Sequence, residues 1–535
     1  MYCKVALIRR FPRSVAPYDY SVPEDLTVDV GSFVEVPLRH TLVVGVVIAL
    51  LETSKFDPVS PISRLLPILP LSQEDLQFYK ALARRTYQSL ASILFAAISL
   101  PPSRLVHKKH SEPEAESFRI THPEVQLLKT CLNIVTEQAH TRFCLPNDRV
   151  GLGLVVALLK ATPEPLLVLV PDMHLAEAAY RVGHMITSDI KLLVAKQSKS
   201  EAYESWCALR SGSARLVIAT RRGSLIPPHA STRIVMLGSG EDEYTQWDQN
   251  PHYDARWCLA SRRRTHRNPT VEVDVFPRVE DGDVTLDVWK TPPVQIVNMQ
   301  EGARLSDHYL LSNEAMQLLR STDTSTAPLV IFYNRLQRAE DTHYVGVEAL
   351  AQVIRKEFPE KFVHVVDART SLPSHGIAIV TRALLFQWDY VSPRIAALIV
   401  LRPEHNLIYR GFRSLEQATR ELRRLVAFAC TAHVPCLVQA REPEVVERML
   451  GPSNVIRNEE LTLRKTLHYP PFGDLHVARA KDQDSHELLE SYRAQYKGAG
   501  SGQELIIRTE PDGCVEEWLT WPPSCDIFLS PDSME

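Results

Sequence analysis

The chain has 535 residues, 45% hydrophobic and 23% charged, which is the composition of a soluble globular protein of several domains and excludes a disordered, fibrous or disulfide-scaffold protein. Lys and Arg number 60 against 64 Asp and Glu, a net charge of −4. That excludes a polybasic coat but leaves room for a local basic face.

Residues 1–70 read as β. Val5 to Ile8, Val34 to Val36 and Val43 to Leu51 are short β-branched runs punctuated by Pro12, Pro17, Pro23, Gly31 and Pro37. This is the pattern of a small barrel. Ser72-Gln-Glu-Asp75 resembles a capping box, so a helix is expected from there to about Leu100, stopped by Pro101-Pro102. His107 to Phe118 is polar and reads as a linker. From about 123 to 450, apolar strands alternate with helical stretches: Leu166–Val170, Leu216–Ala219, Ile234–Leu237, Leu329–Phe332, Val363–Val366, Ile377–Val380 and Ala396–Leu401. Continuous apolar strands between helices predict parallel sheets covered on both faces. The length calls for two such lobes, divided near 290 at Pro292-Pro293. After about 455 a stiff turn, Tyr469-Pro-Pro-Phe472, precedes a helix over His486–Lys497 and the loop Gly498–Gly502. Residues 481–535 hold 4 basic and 12 acidic residues.

Motif searches exclude several chemistries. No Gly is followed by Lys, so there is no Walker-type phosphate loop, and there is no His-Glu-x-x-His, EF-hand or Gly-x-Ser-x-Gly pattern. The nine cysteines form no Cys-x-x-Cys pair, so they read as reduced thiols of a cytoplasmic protein rather than as zinc ligands. The longest apolar runs span about half a bilayer, and the N-terminus lacks a signal-peptide layout. No membrane partner is expected. Glu241-Asp-Glu243 reads as a solvated loop rather than a metal pair. Residues 205–270 hold 10 basic against 5 acidic residues, and 402–430 hold 6 against 3. Beside Trp206, Trp247, Tyr253 and Trp257 these arginines are either phosphate contacts or solvated helical faces.

The stretch Phe11-Pro-Arg-Ser-Val-Ala-Pro-Tyr18-Asp19-Tyr20-x-x-Pro23, followed by Gly31-Ser-Phe-Val-Glu-Val-Pro37 and Gly45-Val-Val, resembles the 3′-end DNA-binding domain of the primosomal protein N′ (PriA) family. The resemblance runs on colinearly through Leu167-Val-Leu-Val-Pro171-Asp, Ile218-Ala-Thr220-Arg221, Tyr253-x-Ala255-Arg256, Phe332-Tyr-Asn334-Arg335, Phe412-Arg413-Ser414-x-Glu416, and Arg464 with Tyr469-Pro-Pro-Phe472. It implies an α/β chain. Residues 1–105 would be a small β-rich, barrel-like DNA-binding domain and 106–141 a linker. Two RecA-like parallel-sheet lobes would follow over 142–290 and 291–450, with a small α+β domain over 451–535.

The family comprises superfamily 2 helicases of replication restart, with roles in DNA repair and recombination. Its ATP chemistry needs a phosphate-binding Lys, a carboxylate pair for Mg²⁺ and arginine fingers. At those places this sequence has Asp148 and Arg149, Gly238-Ser-Gly-Glu241, Asp274-Val-Phe-Pro277, Val380-Thr381 to Phe386-Gln387, and Phe428 and Thr431. The family's zinc module and winged helix have no room here. The resemblance thus implies a degenerate member that has lost ATP, Mg²⁺ and zinc, with no catalytic residue and no metal. It would bind 3′ ends of DNA at stalled forks through Tyr18, Asp19, Arg39 (where the family has Gly) and Arg64, with Arg221, Arg262, Arg263 and Arg264 on backbone phosphates. Expected partners are forked or 3′-ended DNA, primosome proteins and single-stranded-DNA-binding protein, on the bacterial nucleoid. An ATP-dependent 3′→5′ helicase and a protein scaffold without DNA binding are the alternatives.

Overall fold

The computed structural model describes all residues except 57, 103–117, 119–120, 196, 300–301, 305–309, 335–345, 367–369, 383–393, 409–410, 497–502 and 531–535. The chain begins with a five-stranded antiparallel sheet: β1 (Tyr2–Leu7), β2 (Tyr18–Ser21), β3 (Phe33–Leu38), β4 (Thr41–Leu51) and β5 (Arg64–Leu65), ordered β2-β1-β4-β3-β5. β3 buries both faces. Val34 and Val36 join Val5, Tyr20 and Val47 inside, while Phe33 packs outward among the residues of the next layer. The sheet edges meet, because Tyr20 Oη donates to the Pro37 carbonyl at 3.0 Å and Ser21 bridges to Pro61. The result is the small barrel that the turn-punctuated strands predict.

The capping box at Ser72 and Asp75 starts α1 (Gln73–Arg85). The single helix expected to Leu100 is instead two. The chain turns at Tyr87, whose φ is +53°, and Ser89 caps α2 (Leu90–Ala97). The turn places the fully buried Tyr87 ring against His476 and Trp518.

Residues 106–141, expected as linker, include α3 (His122–Glu137), which packs on the first lobe because Leu128, Cys131 and Val135 lie on one buried stripe. That lobe comprises β6 (His140–Cys144), α4 (Asp148–Ala161), β7 (Leu166–Leu169), α5 (Met173–His184), β8 (Ile190–Leu193), α6 (Lys199–Ser211), β9 (Leu216–Ala219), β10 (Arg233–Leu237), α7 (Ala255–Arg263), β11 (Thr270–Asp274) and β12 (Leu286–Asp287). Its strands form a seven-stranded parallel sheet, β12-β6-β11-β10-β7-β9-β8.

The second lobe holds β13 (Gln295–Asn298), the hairpin β14 (Gly302–Arg304) and β15 (Leu310–Ser312), α8 (Asn313–Ser321), β16 (Leu329–Phe332), α9 (Val347–Glu357), β17 (Val363–Val366), β18 (Ile377–Val380), β19 (Ala397–Leu401), α10 (Ser414–Thr431), β20 (Cys436–Ala440) and α11 (Pro443–Leu450). Its six-stranded parallel sheet runs β13-β20-β19-β16-β18-β17. Then come α12 (Ser453–Leu467), β21 (Asp474–Ala480), α13 (Gln483–Tyr496), β22 (Glu504–Thr509) and β23 (Cys525–Leu529), with an antiparallel sheet β22-β21-β23. Central strands such as β7 and β16 are buried at every residue, which is why they are apolar throughout. Among the described residues no helix is long and apolar enough to cross a membrane.

Two junctions fix the functional geometry. The barrel and α1–α2 share one core with the first lobe. Tyr79 Oη donates to the Leu225 carbonyl at 3.0 Å, and Arg222 donates to the Ala96 carbonyl at 3.1 Å and to Ser99 Oγ. The two lobes meet across α10, where Cys144 of the first lobe joins the core of the second.

Candidate functional site

The barrel end carries the first site. Tyr18 is exposed on β2, with its ring 6.2 Å from that of Phe11. Asp19, next along the strand, sits opposite Lys4 of β1, and its Oδ2 accepts from Ser54 Oγ at 2.8 Å. Ser54 lies just past β4 and has no local sequence signal, so sequence reading missed it. Tyr20 Oη reaches the Pro37 carbonyl of β3, and β3 leads into the exposed turn at Arg39. Arg39 takes φ +55°, a left-handed conformation that favours glycine. Arg64 is exposed and held by Glu35, its cross-strand partner, at 2.7 Å. An aromatic ring beside an oriented carboxylate can stack a base and accept a hydrogen bond from a hydroxyl.

Beside this end a cleft of about 1450 Å³ separates the barrel and α2 from the first lobe. Arg10, Arg13, Lys199, Arg221 and Arg222 line it against one acid, Asp172. Arg221 bonds Asp248 at 3.0 Å and Gln246. Of the other expected backbone contacts, buried Arg262 is withdrawn from solvent. It donates to the Ile226 carbonyl and lies over the Phe78 ring at 4.3 Å. Arg263 pairs with buried Glu272, and Arg264 pairs with Asp512 at 2.7 Å. Arg262 and Arg263 thus tie α7 to its neighbours, while the Arg264 side chain is 71% exposed beside Asp512. Trp206 and Tyr253 are core residues.

The second site is the interlobe cleft. β6 leads through only Leu145-Pro146-Asn147 into α4, and Asn147 Oδ1 caps the helix by accepting from the Val150 N–H at 2.9 Å. Asp148 opens the helix. Arg149 lies over the Phe118 ring at 5.3 Å. Asp148 faces Arg424 of α10 at 3.2 Å. Arg424 also meets Glu241 at 2.5 Å and lies 3.8 Å from Asp274. Arg420 lies 3.6 Å from Asp274 and donates to the Phe276 carbonyl. Asp242 takes Arg382 at 3.3 Å and the Gln417 amide. Glu241-Asp-Glu243 is therefore not the solvated loop its sequence suggests.

Phe428 is buried, and Thr431 Oγ1 accepts from Asn147 Nδ2 at 3.3 Å. The arginines entering the cleft lie on α10 one to three turns earlier, at Arg420 and Arg424. The local excess of base over 402–430 was their only sequence signal. Burial, with Asp274 and Glu241 near, pushes the Asp148 carboxyl up to about 6 despite Arg424, and burial beside Glu241 pushes Glu243 to about 7. These residues do not suit a nucleoside triphosphate, because its phosphates would face Asp148 and Glu241 around Arg424. Among the described residues no group of His, Cys, Asp and Glu could hold a metal ion. Phe386-Gln387 and Arg335 lie outside the described residues.

Three of the matching motifs converge elsewhere. Arg413 holds Glu280 at 2.7 Å, Glu416 holds Arg464 at 3.2 Å, and Arg278 and Arg256 share Asp254. The Phe412 and Tyr469 rings stack at 5.1 Å. The residues flanking Tyr253, Phe412 and Tyr469 thus build one buried network joining both lobes to the C-terminal domain.

Residues 6–99 match the family model of the PriA 3′ DNA-binding domain. The chain is 25% identical over 183 residues to the replication restart protein PriA of Bacillus subtilis, covering 32% of this chain and 23% of that protein. It is 21% identical over 339 residues to PriA of Rickettsia conorii, covering 60% of this chain and 52% of that protein. The chain matches about half the length, or less, of these curated relatives. A solved structure of RecG bound to a three-way DNA junction aligns over 65% of this chain and 47% of RecG at 14% identity, with a TM-score of 0.38, too slight to bear on the argument. Residues 6–99 are thus similar to the PriA 3′ DNA-binding domain, and the two curated relatives extend the likeness beyond it over part of the chain.

Proposed function

We propose that the chain is a DNA-binding protein of replication restart that reads the 3′ end of a strand at a stalled fork and does so without ATP hydrolysis. The observation that carries the reading is the pairing of a matched 3′ DNA-binding domain with an interlobe cleft in which Arg424 meets Asp148 and Glu241. Tyr18 would stack the terminal base, and Asp19, oriented by Ser54, would accept the terminal hydroxyl. The cleft beside the barrel, with its excess of cationic over acidic lining, is the path for the adjoining strand, where backbone charge dominates affinity. Primosome proteins and single-stranded-DNA-binding protein are partners by the same family argument.

The test is binding of purified protein to a labelled fork with a 3′-hydroxyl end and to the same fork with a 3′-phosphate, with Asp19→Ala in parallel and ATP hydrolysis followed in the same samples. Tighter binding to the free hydroxyl, lost in Asp19→Ala and without ATP turnover, is the expected result. DNA-stimulated ATP hydrolysis would overturn it in favour of a helicase. No binding at low salt would leave a protein scaffold.

A further inference from the structure

We propose that Arg420 and Arg424 act as a built-in ligand of the interlobe cleft, holding the two lobes closed with no nucleotide present. Both side chains leave α10 of the second lobe and enter the first. The first lobe is shaped to admit them. A Cβ at Gly240 would lie 2.2 Å from Arg420 Nε, and one at Gly238 would lie 2.8 Å from Arg424 Nη2, so any larger residue at either place would push an arginine out.

Asp274 organises the receiving surface. It accepts the backbone N–H groups of Gly240, Val275 and Phe276 and presents its carboxylate to both guanidinium groups. Asp148 and Glu241 complete the cradle around Arg424.

The charge count explains why the arginines are needed for closure. With the lobes together, Asp148, Glu241 and Asp274 converge at the end of the first sheet. Without Arg424 they would repel one another in a space shielded from water. Separation of the lobes would return them to solvent. Closure is therefore conditional on the guanidinium, as a ligand-driven closure is conditional on its ligand. Here the ligand is part of the chain, so closure is permanent instead of being a step in a cycle. The inference concerns the cleft alone and stands whether or not the barrel binds DNA.

Arg424→Ala in the full chain is the direct test, read by small-angle scattering and by amide hydrogen exchange over 148–152. The expected result is a larger radius of gyration and exchange at least about tenfold faster there, with the barrel unchanged. Adding Asp148→Asn and Glu241→Gln to Arg424→Ala removes the repulsion and should restore the compact form, which mere misfolding would not allow. Should Arg424→Ala fail to fold, Arg420→Gln serves as the milder variant with the same readouts. Unchanged exchange and scattering in these variants would overturn the proposal. So would a wild-type protein that becomes more compact on addition of magnesium and ATP.

Discussion

Asp148, the first residue of α4, faces Arg424 across the interlobe cleft at 3.2 Å, yet its carboxyl is pushed up to about 6. Burial works against its charge, and Asp274 and Glu241 add to the effect. Its ionised form is thus held at a cost that Arg424 only partly offsets. Asp148→Asn removes the charge and leaves Arg424 with Glu241 and Asp274. The variant is expected to be more stable than the parent by up to about 3 kcal/mol above pH 6. The sign follows from the raised folded-state pKa: the destabilisation builds between about pH 4 and pH 6 and is absent below. Denaturant unfolding at pH 7.5 and pH 4 measures both ends, and a gain of equal size at the two pH values would contradict the account.

Glu416 and Arg464 behave in the opposite way. Burial would raise the Glu416 carboxyl, but Arg464, Arg420 and Arg278 bring it down to about 2. Its contribution is present above the ordinary carboxylate range and is lost as pH falls through 2. Arg464 keeps Glu460 at 3.1 Å and Glu280 at 3.6 Å, so Glu416→Gln should cost about 1–3 kcal/mol at neutral pH and weaken the docking of the C-terminal domain. The checks are urea unfolding and proteolysis at the 467–474 junction.

How much of this was legible follows from what each residue does. β7, β9, β16 and β18 were readable because a strand covered on both faces must be apolar at every position. Tyr18 and Asp19 are singled out by the family likeness of their stretch, and the structure adds the tie from Ser54 to Asp19. The arginines of α10 were not legible. On an exposed helix Arg420, Arg423 and Arg424 would make a solvated stripe. Only the tertiary arrangement shows that Arg423 is fully buried against Met449 and Val275 carbonyls and that its neighbours cross to the other lobe. Ser54 was illegible for a related reason, since its tie to Asp19 spans 35 residues. The break at Tyr87 was hidden by strong helix formers on both sides. Contacts to His476, 389 residues away in sequence, and to Trp518, farther still, override that local preference.

His476 gives a second pH prediction. It is buried between Tyr87 Oη and Thr509 Oγ1, both at 2.8 Å, and burial lowers its pKa to about 3. The unfolded chain binds a proton near pH 6.5 that the folded chain refuses. Stability is therefore full above about 6.5 and falls as pH drops towards 3, by at most about 5 kcal/mol. His476→Gln keeps a polar group for Tyr87 but does not titrate. It should be less stable at neutral pH and flatter between pH 6.5 and 4, and a retained slope there would assign the acid sensitivity to other groups.

Arg39 separates strain from recognition. Its φ of +55° costs a side-chain-bearing residue about 1 kcal/mol, and the family to which the barrel is similar has Gly at this position. Arg39→Gly relieves the strain but frees the unfolded chain, so stability should rise by about 0.5 kcal/mol or hold level. The same change removes an exposed cation from the barrel end that carries Asp19. If the proposed site is right, affinity for a 3′-ended strand falls severalfold, and the logarithmic salt dependence becomes shallower by about one unit of slope. Arg64→Gln is the comparison. Arg64 already faces Glu35 at 2.7 Å, so losing it should change affinity less than losing Arg39. An Arg39→Gly protein of parental stability that binds the 3′ end as tightly as before, with the same salt slope, would remove Arg39 from the site and leave Tyr18 and Asp19 to carry it.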